Sequence, residues 1–509
     1  MNAKAARLRL IAATMLVASI NLGAQAPSSP KPSKVAPSPA AGSMFLYPER
    51  IRLKDGGYVT AERGMLFVAA NRKDPKSDVI GIEIYRFRRS SAASPDAPPI
   101  FRLNGGPNYE GLERSVSTPG YFEREIRPYL DASDFVVIGQ RGIGSSKPTT
   151  ICERPAPVAI DATADAIAES QRAAARKCQQ YWRDVGLDYR GLTVPQAAAD
   201  VDDARKAFGY KKIQIWGGSF GSHWGIAVMR YYPQFVERVV LRGLEGPDYT
   251  YDSPAGIWNA LARIAAAADT AAALKGMIPP GGLLNAFKTV VERVEANPVV
   301  VTVTDSAGNS TRVRVDGDAV RNIAVAAARA WPARVIAMYN GDFTLAARAA
   351  LAERRQMGIE TASYYMLDCG SGITHARDLR ILAEPEAKYV GGRNDEYRAV
   401  CGLWPSNNGD EFRTNFRTTI PTVMVQGNWD TSTPMENSLE MKPFFVNSKY
   451  VLVKGGSHGS LVEARAASDV FARGLIRYFA TGDMSGIPEV VELAPVKWVV
   501  PEIRSGSDR

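Results

Sequence analysis

The sequence predicts an α/β protein with a mostly parallel sheet, helices on both faces and a mainly helical insertion. Three observations predict it. Short apolar strands and helices alternate from Ile100 to about Leu241. The alternation stops near Asp248 and gives way to an Ala-rich helical stretch, and it resumes near Ile420. Such interleaving argues for one parallel sheet interrupted once rather than for two domains side by side. The 509 residues, 45% hydrophobic and 23% charged, are enough for one large α/β unit with an insertion.

Lys4, Arg7 and Arg9 precede the apolar run Leu10–Ile20, and Ala24-Gln25-Ala26 follows, the three parts of a secretory leader. The run is shorter than the roughly 20 residues a bilayer span needs. Residues 1–26 are therefore expected to be a signal peptide and the mature chain to be exported, periplasmic or extracellular. Residues 27–42 read as a Pro/Ser/Ala-rich linker. No later stretch is long and apolar enough to cross a membrane.

The core is expected at 43–247 and 416–509, with the insertion at 248–415. Met65–Ala69 and Val79–Phe87 read as a hairpin around Asn71–Pro75. Ile100–Leu103 is a strand ending in Asn104-Gly-Gly-Pro107. Tyr121–Ile126 reads as a short helix stopped before Pro128, and Phe135–Ile138 as an apolar strand. Thr193 is expected to cap a helix carrying Ala197, Val201, Ala204 and Phe208 at helical spacing, with Gly209 past its end. Ile213–Trp216 (strand), Ser222–Tyr232 (helix) and Val236–Leu241 (strand) follow. The insertion holds one hairpin, Val299–Thr304 with Arg312–Val315. Beyond it lie Thr422–Gln426, Met435–Met441, Tyr450–Val453 and a final helix from about Leu461 to Phe479.

The formal charge is 62 − 53 = +9, or +6 once Lys4, Arg7 and Arg9 are removed. The remaining basic residues are scattered and form no stripe of the kind that nucleic acid demands, so no nucleic-acid partner is expected. The cysteines Cys152, Cys178, Cys369 and Cys401 allow three pairings. The local ones, Cys152–Cys178 and Cys369–Cys401, are favoured because each closes a short excursion in an oxidising compartment. No C-x-x-C pair occurs and the chain has only three histidines, so no metal or other cofactor is expected. Nothing indicates the oligomeric state.

Gly217-Gly218-Ser219-Phe220-Gly221 is a G-x-S-x-G motif placed after a strand and before a helix, as a nucleophile elbow requires. A serine hydroxyl needs a base. His223 lies one turn into the following helix and reads as a packing residue; His375 falls in the insertion. His458, on the Gly-rich loop Lys454–Gly459 after a strand, is the expected base. Asp430, after another strand, is the expected orienting acid, and the order Ser219, Asp430, His458 is that of α/β hydrolases. Phe220 N–H and Gly106 N–H are the expected oxyanion donors.

Together these residues resemble the proline iminopeptidase/tripeptidyl aminopeptidase branch of the α/β hydrolases, which has a TAP-like C-terminal region. The Gly-Gly-Pro loop, Gln140–Pro148, the elbow, Gly427…Asp430…Thr433-Pro434 and His458-Gly459 occur in family order. Asn340-Gly-Asp342, Cys369 and Cys401-Gly-Leu-Trp404 extend the resemblance over roughly residues 60–480. Two motifs depart from the family: its usual His-Gly-Gly-Pro-Gly is Asn104-Gly-Gly-Pro-Asn108 here, and Gly139 stands where an aspartate precedes Gln-Arg-Gly. The resemblance implies an α/β-hydrolase fold and release of short N-terminal pieces from peptides. An esterase or amidase on the same machinery is the alternative, and a non-catalytic binding protein on the same scaffold a more distant one; the expected partner is a small peptide or ester. An aminopeptidase needs an acid for the substrate ammonium, and Glu245, Asp248 and Asp252 at the sheet-to-insertion junction are the candidates.

Overall fold

Ten strands form the main sheet of the computed structural model, in the order β1-β2-β3-β5-β4-β6-β7-β10-β11-β12. The described residues are 39–107, 111–153, 159, 162–323, 329–356, 361–391 and 394–501. The expected leader, 1–26, and residues 27–38 of the expected linker lie outside them. The strands are β1 (Met44–Arg52), β2 (Tyr58–Ala69), β3 (Val79–Phe87), β4 (Ile100–Leu103), β5 (Phe135–Ile138), β6 (Ile213–Ser219) and β7 (Val236–Leu244). Then come β8 (Val299–Thr304), β9 (Ser310–Val315), β10 (Thr422–Gly427), β11 (Ser448–Lys454) and β12 (Val490–Glu492). The first three pair antiparallel and β3 joins β5 antiparallel. From β5 through β4, β6, β7, β10 and β11 to β12 every pairing is parallel.

The central strands are apolar on both sides because both sheet faces are covered, as parallel sheets require. Ile215, Val239, Leu241 and Met424 pack with the helices Val194–Ala207 and Phe220–Tyr231. Their alternating neighbours Trp216, Val240, Val423 and Val425 face Tyr129, Leu461, Phe471 and Tyr478 on the other side. Period-two side-chain direction thus divides one run of residues between two cores. Between β7 and β10 the chain runs mainly through helices, including Pro254–Asp269, Gly282–Ala296 and Trp331–Tyr339, plus the hairpin β8–β9. These have an apolar cluster of their own around Leu261, Phe287, Val290 and Trp331.

Both local disulfides form, Cys152–Cys178 and Cys369–Cys401. All four cysteines lie in one cluster with Trp182, Tyr365 and Trp404, so the bridges reinforce the same contact. Among the described residues no helix is long and apolar enough to cross a membrane.

Several elements differ from expectation for local reasons. Thr193 precedes its helix without a side-chain capping bond. The expected helix before Pro128 is a π-helical turn, Phe122–Ile126, followed by a 3-10 turn that contains the proline. The final helix is two, Ser460–Ala467 and Asp469–Thr481, because extended Ser468 breaks the first and its hydroxyl caps the second at Phe471 N. Strand β1 was not expected: its side chains are mostly exposed, so its pattern carries little apolar alternation. Strand β12 has only three residues.

Candidate active site

Strand β6 runs directly into the helix Phe220–Tyr231, and Ser219 is the joint. Its φ of 57° is positive, alone among the described non-glycine residues. Such backbone costs about 1–3 kcal/mol and persists only where the surroundings enforce it. Here they do: a Cβ at Gly221 would lie 2.0 Å from the Leu103 carbonyl oxygen, so strand β4 presses against the turn. Ser222 Oγ donates to the Ser219 carbonyl at 2.6 Å. Among the described residues Ser219 Oγ makes no hydrogen bond, which leaves the hydroxyl unengaged at the N-terminus of a twelve-residue helix.

Asp430 and His458 are in direct contact. Nδ1 of His458 lies 2.9 Å from Asp430 Oδ2 and 3.1 Å from Oδ1. The carboxylate is fully buried and also accepts from Ser432 N and Thr433 N, each at 2.9 Å, and from Thr433 Oγ1 at 2.8 Å. Gln426 Nε2 adds a longer bond of 3.3 Å. Burial alone pushes the Asp430 carboxyl upward, but the charge and hydrogen bond of His458 and the Thr433 donors outweigh it and hold it below the ordinary carboxylate value. Asp430 therefore both nucleates its own turn and accepts from the imidazole. Among the described residues His458 Nε2 makes no bond, and the side chain is about one third exposed (34%).

Strand β7, between β6 and β10, underlies the imidazole. Gly243 has φ of 50°, and a Cβ there would lie 3.0 Å from His458 Cε1 and 3.1 Å from Nδ1. Any side chain at 243 would push the ring away. The Gly-rich loop of His458 is tied down by Ser457, whose N and Oγ donate to Glu463 at 2.7 and 2.8 Å.

Of the expected oxyanion donors, Phe220 opens the elbow helix, and Gly106 follows β4 with φ of 118°. The residue packed on the serine is its neighbour Gly105, where a Cβ would lie 3.1 Å from Ser219 Cβ. Gln140 Nε2 donates to the carbonyls of Asn104 (3.0 Å) and Gly105 (3.3 Å). In a trans peptide N–H opposes C=O, so this strap turns the N–H groups of Gly105 and Gly106 away from Gln140. Among the described residues both remain unbonded. Asn104, at the position of the family's histidine, accepts from Arg102 Nε at 3.1 Å through its side chain.

The three candidate acids have separate surroundings. Glu245 directly follows Leu244, the β7 partner of Ser219, and its backbone N–H donates to Ser222 Oγ at 2.9 Å. Asp248 gives both oxygens to Thr374, accepting from its N and its Oγ1 at 2.6 Å each, which ties it to the start of the helix His375–Ala383. Asp252 lines a cleft of about 320 Å³ with Pro254, Ile257, Arg321 and Asn394.

His375 is exposed at the first position of its helix. His223 is buried, with Nδ1 2.9 Å from the Gly246 carbonyl and Nε2 2.9 Å from Ser371 Oγ. Desolvation, opposed only by the Gly246 bond, pulls it from near 6.5 down to about 4. The unfolded chain therefore takes up this proton first as pH falls, and the contribution of neutral His223 to stability is complete above about 6.5 and is lost toward about 4. Denaturant unfolding of wild type is expected to lose about 1.4 kcal/mol per pH unit more than His223→Gln across that window. Equal slopes for the two proteins would refute it.

Gly243 escapes the sequence reading, and Thr433, Gly105 and Gln140 enter it only as motif positions with no role assigned. Only Thr433 carries a signal, as a hydroxyl three residues after an aspartate that turns the chain.

The TAP-like protein family model matches residues 387–488, a stretch that contains Asp430 and His458. The chain is similar to a tripeptidyl aminopeptidase of Streptomyces coelicolor, 26% identical over 201 residues, covering 38% of this chain and 35% of the relative. A proline iminopeptidase of Neisseria meningitidis serogroup A is 26% identical over 162 residues, covering 32% and 37%. The matched stretches thus span about a third of these curated relatives. A solved esterase from Exiguobacterium antarcticum aligns with 82% of this chain and 99% of its own at 12% identity and a TM-score of 0.34. With its parallel sheet, its strand-to-helix serine turn and the match over 387–488, the chain is an α/β-hydrolase-fold protein akin to the TAP-like tripeptidyl aminopeptidases and proline iminopeptidases.

Proposed function

We propose that the chain is an exported serine hydrolase that releases short N-terminal pieces from peptides through Ser219, His458 and Asp430. The observation that carries this is the combination of a strained Ser219 at a helix N-terminus, its hydroxyl without a hydrogen bond among the described residues, with a His458 already held by a buried carboxylate. Ser219 Oγ attacks the scissile carbonyl while His458 Nε2 takes its proton. Asp430 keeps Nδ1 protonated and stabilises the imidazolium. Phe220 N–H, with N–H groups of the Gly105–Gly106 loop, receives the oxyanion. The C–N bond then breaks as His458 returns the proton to the leaving amine, and water, activated by the same histidine, hydrolyses the Ser219 ester.

The names of the similar proteins support the peptidase reading, and two disulfides suit an exported chain. The segment 248–415 would act as a cap that limits access. Glu245 is the acid nearest Ser219 by register and the first choice to hold a substrate ammonium. The engagement of Asp248 by Thr374 takes one of the three candidate acids away from a substrate ammonium, which favours an esterase or amidase as the second reading.

Hydrolysis of aminoacyl- and tripeptidyl-anilides, beside N-blocked versions and simple esters, separates the two. A charge-assisted contact to the ammonium predicts at least about tenfold faster cleavage of free than blocked termini. Equal rates would exclude the aminopeptidase.

A further inference from the structure

The steps above leave unused the arginine at the end of β7. Arg242 pairs with Gly218 on β6 and Val425 on β10, between the strand that delivers the serine and the strand that delivers the acid. Its guanidinium lies against the elbow: a Cβ at Gly218 would meet Nε at 2.5 Å and Cζ at 2.9 Å. Its Nη1 donates to the His458 carbonyl oxygen at 2.6 Å. One side chain therefore touches both the residue before the nucleophile and the backbone of the base.

Among the described residues no direct ion pair accounts for this arginine, which feels the Asp430, Glu125 and Glu463 carboxylates only at longer range. Neighbouring Arg102 has Glu125 at 3.1 Å and lies over the Trp216 ring, whereas among the described residues no carboxylate is within ion-pair distance of Arg242. A desolvated cation without such a partner is costly, and an apolar side chain would satisfy the packing. What the guanidinium adds is a charge-assisted bond to one carbonyl. The loop that receives it, Lys454-Gly-Gly-Ser-His-Gly459, carries three glycines and has little stiffness of its own. Asp430 and Thr433 hold the ring, Ser457 and Glu463 hold one side of the loop, and Arg242 holds His458's own backbone.

We propose that Arg242 is a positioning residue that locks the His458 loop to the nucleophile elbow and so sets the approach of His458 Nε2 to Ser219 Oγ. This rests on the serine-hydrolase reading above. A misplaced base slows chemistry without weakening ground-state binding, so the loss belongs in kcat rather than KM.

The test compares wild type, Arg242→Met and Arg242→Lys in fluorophosphonate labelling rate, kcat and KM on the best anilide or ester, and thermal midpoint. Arg242→Met is expected to fold, to lose about 10- to 100-fold in kcat and labelling rate, and to keep KM within about threefold. Arg242→Lys, which retains charge and a donor, is expected to recover a substantial part of the loss. A folded Arg242→Met with wild-type kcat, a loss confined to KM, or a lysine variant no better than methionine would each overturn the proposal. Should Arg242→Met fail to fold, Arg242→Gln is judged by the same thresholds. Absence of labelling in wild type would end the serine-hydrolase reading itself, whereas a labelled wild type with an unaffected Arg242→Met would end this proposal alone.

Discussion

Ser219→Ala is expected to lower kcat by about 10⁶-fold and to abolish labelling by a fluorophosphonate, while the folded structure survives. The magnitude follows from what is removed. Without Oγ there is no covalent intermediate, and His458 has no proton to take. What remains is binding plus the oxyanion donors, which by themselves supply roughly 10³–10⁴ over water. Alanine occupies the same strained φ of 57°, and the loss of one hydroxyl that makes no hydrogen bond among the described residues leaves packing intact. The thermal midpoint should therefore move little. Steady-state turnover, probe labelling and thermal unfolding, measured on the same two preparations, decide it. A variant that still labels, or that retains more than about one thousandth of kcat, would place the nucleophile elsewhere.

The second large effect concerns Asp430. Asp430→Asn is expected to cost about 10⁴-fold in kcat with the fold preserved. Both carboxylate oxygens are committed: Oδ1 accepts from two backbone N–H groups, and Oδ2 accepts from Thr433 Oγ1 while lying 2.9 Å from His458 Nδ1. An amide can keep its oxygen on the backbone donors only by turning its NH₂ toward Nδ1. The imidazole must then present a lone pair there and carry its proton on Nε2, the tautomer that cannot accept from Ser219. Thr433 sharpens the prediction, since its hydroxyl reaches both Asp430 and, at 3.2 Å, His458 Nδ1. Kinetics and labelling rates of Asp430→Asn against wild type provide the test. A loss of less than about tenfold would mean that Asp430 only shapes its turn.

Much of the scaffold was legible because its signals are local. Phe135–Ile138, Ile213–Trp216 and Thr422–Gln426 read as buried strands from composition and short length, and each is one. The glycines around Ser219 marked the elbow because a tight strand-to-helix turn pressed against Leu103 admits no side chain at 221. The short excursions between cysteines pointed to the local disulfides. Other elements carry weak local signals: exposed β1 lacks apolar contrast, and Ser468 resembles any other helical serine until its backbone extends to cap the next helix.

By itself, the sequence determined the α/β class, the order of Ser219, Asp430 and His458, and their placement after strands, since all of these follow from side-chain periodicity and turn chemistry along one chain. Tertiary structure alone decided what meets what across strands. It gave Thr433 to both Asp430 and His458, placed Gly243 beneath the imidazole and Gly105 against the serine, and committed Asp248 to Thr374 rather than to the serine. It also put Arg242 between Gly218 and His458. Those contacts depend on register between segments more than 200 residues apart in the chain, such as Arg242 and His458 at a separation of 216. A residue's own neighbours in sequence carry no record of such a partner, because sheet order and close backbone approach arise only when the strands assemble.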